Sequence, residues 1–226
     1  MRTKYLLFIL ISYCFTYSSF LFSQSFNQRD SLNKKYGLWI DTLKTEDGTI
    51  FIEAEWKDGL PNGDCIYKYS DGNKWQEGKN INGKKNGIWK TWDENGNLES
   101  EGNYVKDEKD GKWITYHPNA KIHQEGNYSN GMANGQWTIY HPNGKKDGQG
   151  NFLNDKQNGK WTIWYDNGKK RAEGKFINGM KEGLWIYYYE NGKKMAEGIH
   201  EMGNRIGKWK EWDENGKLST QTYLEW

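Results

Sequence analysis

Few residues in this chain are placed to do chemistry. His117 and His141 lie 24 residues apart, in a slot that holds Asp93, Tyr165, Tyr189 and Asp213 elsewhere. On strands two spacings apart their imidazoles would be about 10 Å from each other, too far to share a zinc ion that binds nitrogen at about 2 Å. No metal site is expected there, and His123 and His200 occupy other slots with no matching partner in the pattern. Glu77, Glu101, Glu125, Glu173 and Glu197 form a column of carboxylates, the residue type that glycosidases use in pairs. Hydrolysis needs one unequal pair set apart by its surroundings, whereas these five are equivalent. Their expected role is structural: accepting backbone N–H groups near the glycine that follows each, or pairing with lysines such as Lys169 and Lys193. No glycine-rich phosphate loop opens a helix, and no nucleophile stands with a base. The chain therefore reads as a non-enzyme that needs no cofactor.

The residues that do recur are aromatic, and their spacing points to the elements that carry them. Gly-x-Trp appears at Gly87 and Trp89 and then every 24 residues, placing Trp113, Trp137, Trp161, Trp185 and Trp209 in one column. One interval earlier Gly63 and Cys65 hold the same slots, and Gly37 with Trp39 begins a first unit two residues longer. Three residues after each tryptophan comes a second aromatic column: Trp92, Tyr116, Tyr140, Trp164, Tyr188 and Trp212. Then follow Asn-Gly turns such as Asn143-Gly144, the Glu-Gly pairs, an aromatic at Tyr104, Tyr128, Phe152 or Phe176, and a second turn such as Asn178-Gly179.

Asn-Gly between aromatic or β-branched runs is a strong hairpin signal, because both residues tolerate positive φ. Each unit thus reads as one β-hairpin. A lone hairpin is marginal in water, so the array must be the folding unit. The expected fold is all-β: an elongated, single-layer antiparallel sheet of about eight stacked 24-residue hairpins spanning residues 36–226. The invariant tryptophan column is its core stripe. Alternation along a strand puts the second aromatic column on the opposite face, where an open aromatic row marks a surface for binding protein or sugar. The free sheet ends are sites for end-to-end self-association.

Composition agrees. Leu, Ile, Val and Phe number 38 of 226 residues, below the roughly 20% usual for a globular core, but 13 Trp and 15 Tyr replace that apolar area. Arg2 and Lys4 precede an uncharged, Leu-, Ile- and Phe-rich run from Tyr5 to Phe22, which reads as an export signal over residues 1–23. Ser23 and Ser25 offer the small residues for cleavage, with a linker following over residues 24–35. An uncleaved anchor is the alternative; Tyr13 before Cys14 is too bulky for a lipobox. Removing residues 1–23 leaves 30 basic against 30 acidic residues. That balance argues against nucleic acid and against strong binding to anionic lipid, both of which need a basic excess. Only Cys65 remains, so no disulfide within the exported chain is expected.

The run Gly-x-Trp-x-x-Tyr/Trp-x-x-Asn-Gly-Lys followed by Glu-Gly-x-Tyr/Phe-x-Asn-Gly, as in residues 159–179, resembles the MORN-repeat variant of bacterial proteins. Chains made only of such repeats are grouped as the YwqK-type toxin–antitoxin antitoxin family. The resemblance covers residues 36–226. It implies a hairpin-repeat fold and binding to, and neutralisation of, a toxin protein, with no catalytic residues. The function expected is a non-enzymatic scaffold for protein–protein interaction at the cell envelope, exported to the periplasm, the surface or the medium. The alternative is a cell-envelope carbohydrate binder whose aromatic rings stack on glycan.

Overall fold

The computed structural model describes residues 26–45 and 48–224; the export signal and Cys14 lie outside the described residues. Among the described residues there are seventeen strands and no helix. The chain divides into two compact units at Lys84. The first carries β1 (Gln28–Arg29), β2 (Lys35–Thr45), β3 (Gly48–Lys57), β4 (Leu60–Lys68) and β5 (Lys74–Ile81), each paired antiparallel with the next. β1 lies within the segment read as a linker and hydrogen-bonds to the start of β2. In the tryptophan slot of this unit Cys65 is buried between Ala54 and Gly78.

The second unit runs from β6 (Lys84–Trp92) through β7 (Leu98–Val105), β8 (Glu108–Tyr116), β9 (Ile122–Ser129), β10 (Met132–Tyr140), β11 (Lys146–Leu153) and β12 (Lys156–Trp164). It continues through β13 (Lys170–Ile177), β14 (Met180–Tyr188), β15 (Lys194–Glu201), β16 (Asn204–Trp212) and β17 (Leu218–Tyr223). Each strand pairs antiparallel with its neighbours in sequence, so the stacked-hairpin fold holds.

One local device repeats through this unit. Gly150 pairs with Trp161 while Asn151 pairs with Asn158, so Gly159 and Lys160 are extra on that side of β12, and Gly159 takes φ 84° to make the bulge. The bulge lays the Trp161 indole on the backbone of Gly150, where a Cβ would fall inside the ring. The same covering joins Trp113 to Gly102, Trp137 to Gly126, Trp185 to Gly174 and Trp209 to Gly198. None of these glycines has positive φ. The Glu-Gly pair is therefore straight strand, and its glycine is required by close approach rather than by a bend. Each indole Nε1 then donates to the carbonyl one residue beyond the glycine, as in Trp185 to Lys175 O at 3.0 Å and Trp161 to Asn151 O at 3.0 Å.

Between the indoles stand Tyr104, Tyr128, Phe152, Phe176, His200 and Tyr223, each edge-on to the tryptophans beside it with centroids 5.0 to 6.5 Å apart, the geometry that ring quadrupoles favour. Cations close the outer side of this ladder. Lys85, Lys109, Lys181 and Arg205 lie 4.2 to 4.7 Å from the ring centroids of Trp89, Trp113, Trp185 and Trp209. With that covering the six tryptophans are 0–5% exposed in a sheet one layer thick.

The two turns of each repeat differ. At the second turn both residues have positive φ, as in Asn178 (51°) and Gly179 (85°). At the first, Asn-Gly does not use two positive φ values. Gly168 N–H closes on Tyr165 O, Tyr165 N–H on Lys169 O, and only Gly168, at 90°, is left-handed. This is a three-residue loop with a glycine bulge. Ala120 holds that slot with φ 61°, a conformation that costs an L-residue about 1–2 kcal/mol. Ala120→Gly should therefore raise stability by about 1 kcal/mol, whereas Gly174→Ala should lower it by about 3 kcal/mol by forcing the Trp185 indole out. Urea unfolding followed by tryptophan fluorescence tests both, and equal, small effects of the two changes would contradict the assignment.

Candidate functional site

The face opposite the ladder carries the second aromatic column. Trp92, Tyr116, Tyr140, Trp164, Tyr188 and Trp212 are all half-buried there. Where the ring is tyrosine, its hydroxyl donates to the glutamate fifteen residues earlier: Tyr116 to Glu101 at 2.7 Å, Tyr140 to Glu125 at 2.9 Å, Tyr188 to Glu173 at 2.7 Å. Where it is Trp164, the matching slot holds Gln149, which turns its amide to Thr138 Oγ1. Lysines brace the carboxylates: Lys90 on Glu101, Lys112 on Glu125, Lys170 on Glu173, and both Lys194 and Lys210 on Glu197. Glu77 pairs with Lys74.

The lysines differ from those the spacing suggested. Lys169 and Lys193 instead reach backbone carbonyls of the next repeat's first turn, Asn191 O and Glu214 O. Asn119, Asn143 and Asn167 make the same step through their side-chain amides, to Pro142 O, Asp166 O and Glu190 O. The Asn and Lys of Asn-Gly-Lys thus tie successive turns together along one side of the unit.

These contacts set the electrostatics. Burial, then the Glu101 carboxylate, pushes the Tyr116 hydroxyl up to about 12, and burial with Glu173 does the same to Tyr188. Tyrosine hydroxyls hold Glu101, Glu125 and Glu173 below the usual carboxylate range, with lysine adding to it; for Glu197 the leading cause is Lys194. A general acid at neutral pH needs the opposite shift. Glu101, Glu125 and Glu173 are fixed acceptors that hold the tyrosine rings in place.

The histidines separate into two settings. His117 and His141 donate from Nε2 to the next repeat's carbonyls, Tyr140 O at 2.8 Å and Trp164 O at 3.0 Å, as the hydroxyls of Tyr165 and Tyr189 do in the same slot. His123 has a partner that the repeat pattern does not reveal. The first turn folds it back onto His117, with ring centroids 4.6 Å apart. No group of three metal-ligating side chains occurs among the described residues.

His200 takes the ladder slot held by Phe176 one repeat earlier and is 5% exposed. Its Nδ1 proton faces Gly203 O at 3.0 Å, which leaves Nε2 to accept from the Tyr187 hydroxyl at 3.1 Å; that hydroxyl itself accepts from Lys181 Nζ at 2.8 Å. Burial, with Lys181 and Arg205 adding to it, holds the imidazole below its usual value near 6.5, and burial and His117 do the same to His123. In both, the folded state takes up a proton less readily than the unfolded chain. Their stability is therefore complete above pH 6.5 and is lost as pH falls through the depressed values. Lowering the pH from about 7 to about 5 should reduce the urea midpoint, and His200→Phe should reduce that fall; parallel decline of the two proteins would remove His200 as its source.

Comparison with known proteins gives a single line of kinship. The model of the MORN repeat variant matches residues 85–106, 109–130, 133–154, 157–178, 181–201 and 205–224, together more than half of the chain. Each matched segment carries one bulged tryptophan of the ladder and one ring of the opposite column. No curated protein matches. Period, ladder and matched segments coincide, and the chain belongs to the MORN repeat variant family.

Proposed function

We propose that this chain is a non-enzymatic docking scaffold, exported to the cell envelope, that binds another protein along the face carrying Trp92, Tyr116, Tyr140, Trp164, Tyr188 and Trp212. Repeats of this family are generally interaction modules for proteins or membranes. The observation that carries the choice of face is the fastening of the column. Three of its tyrosines are held by hydroxyl-to-carboxylate bonds, so half-exposed rings are fixed before any partner arrives. Preorganised aromatic side chains contribute large contact area at little entropic cost. The alternating Lys and Glu around them give a mixed-charge rim that suits a protein surface better than a phosphate backbone.

Neutralisation of a toxin protein is the antitoxin-like form of this role: the partner would be a secreted or envelope toxin held along the column. A photoreactive residue at Tyr140, introduced into the full chain in native cells, should trap a discrete protein, and the same residue at Thr115 on the ladder face should not. Trapping of glycan at Tyr140 would turn the reading to a carbohydrate binder, and equal trapping at both positions would overturn the choice of face.

A further inference from the structure

On that same open face the repeats diverge from β12 onward. In the slot between the bulge glycine and the tryptophan, cross-strand pairs are Ile88 with Asn103, Lys112 with Asn127, and Gln136 with Asn151. At β12–β13 the pair is Lys160 with Lys175, two like charges directly opposite, an arrangement that destabilises a sheet. Among the described residues neither ammonium is in an ion pair. The nearby carboxylates make their short contacts elsewhere: Glu173 bonds to Tyr188 and Lys170 and acts on Lys160 only at longer range, and Glu182, opposite Lys175 on β14, accepts the Met202 N–H. One interval on, the slot pairs Leu184 with Ile199, 53% and 42% exposed. Ile177 and Met180, also exposed, pair with each other at the adjoining turn. A shallow depression joins the two features, lined by Lys160, Glu173, Lys175, Leu184 and Ile186.

Resting on the docking role above, we infer that β12–β15 form the specificity site for the partner. It takes an extended acidic segment whose carboxylate enters between Lys160 and Lys175 and whose neighbouring apolar side chain covers Leu184 and Ile199. Charge complementarity decides the occupant. Two facing lysines without a direct ion pair, beside exposed aliphatic side chains, fit a peptide that alternates acid and aliphatic residues, the two-residue period of a strand. Residues that weaken the free fold and are satisfied only in a complex are a mark of a binding site.

The probe is a labelled synthetic peptide alternating Glu and Leu, read by fluorescence anisotropy on the full chain, with Lys–Leu and Glu–Ser peptides and phosphatidylglycerol vesicles as comparisons. The Glu–Leu peptide should bind at least tenfold tighter than either control peptide. Lys175→Asn, which installs the residue found at positions 103, 127 and 151, should weaken it at least fivefold while raising the urea midpoint. Leu184→Ser should also weaken it at least fivefold, and Ile88→Ser, in the slot of Leu184 but in another repeat, should not. Equal binding of the control peptides, preference for the vesicles, equal loss at position 88, or a lower midpoint for Lys175→Asn would each overturn the site. If the peptide fails to bind but the Tyr140 cross-link persists, the lysine–leucine site is wrong and the docking role stands; if both fail, both fall.

Discussion

The indole laid on a bare glycine backbone is the contact from which the rest of the molecule follows. It needs a residue without a side chain under the ring, hence the glycine at 102, 126, 150, 174 and 198. It needs a bulge to swing the tryptophan back over the preceding strand, hence the left-handed glycine two residues before it. The Nε1 hydrogen bond one residue past the covered glycine fixes the register of each strand pair. A slip by one residue would bring a side chain beneath the ring and orphan the buried N–H together. Such a lock explains how a sequence with few aliphatic residues builds a core: the apolar area is aromatic, and it is buried against backbone and edge-on rings rather than against a second layer.

That arrangement assigns different work to the two faces. The ladder face satisfies itself, with lysine and arginine spread over the outer side of the rings. The other face is left to charges and to rings held by hydrogen bonds. Because each hairpin repeats the same bonds, variation between repeats is informative. Gln149 stands in the slot matched to Trp164, which holds glutamate in the other repeats, and Lys160 faces Lys175 where the preceding repeats of the unit pair a side chain with asparagine. The first turns supply a separate tie, with asparagine, lysine, histidine or tyrosine reaching the next repeat's carbonyls. Stability therefore rests on nearest-neighbour contacts, as expected of a linear array.

Much of this was legible in the sequence because it repeats. The 24-residue interval, the hairpin in each unit and the tryptophan stripe all follow from column spacing alone. What was not legible depends on contacts that spacing does not encode. Nothing in the Glu-Gly pair itself shows why the glycine is needed; the ring laid over it does. Asn167-Gly168 reads as a turn with two positive φ values, yet only Gly168 adopts one, because the loop is a residue longer than the dipeptide suggests. Lys169 and Lys193 look placed for the glutamates, but they lie in the first turn, ahead of β13 and β15, and Lys170 and Lys194 at the strand starts are the ones that reach. His123 has no partner in the repeat pattern, yet the turn at Asn119-Ala120 folds it against His117. The candidate surface was legible as a column of residue types, whereas its lysine–leucine focus required the cross-strand register.

The ladder seals one face with its own aromatic rings, and the proposed docking role requires that the other stay open until a partner covers it. Hydroxyl-radical footprinting of the purified chain and of the chain in native cells compares the two directly. Trp161, Trp185 and Trp209 should be protected in both settings, while Trp164, Tyr188 and Trp212 should react in the purified chain and become protected in cells. Equal oxidation of the two columns in the purified chain, or an unchanged second column in cells, would contradict this division of the faces.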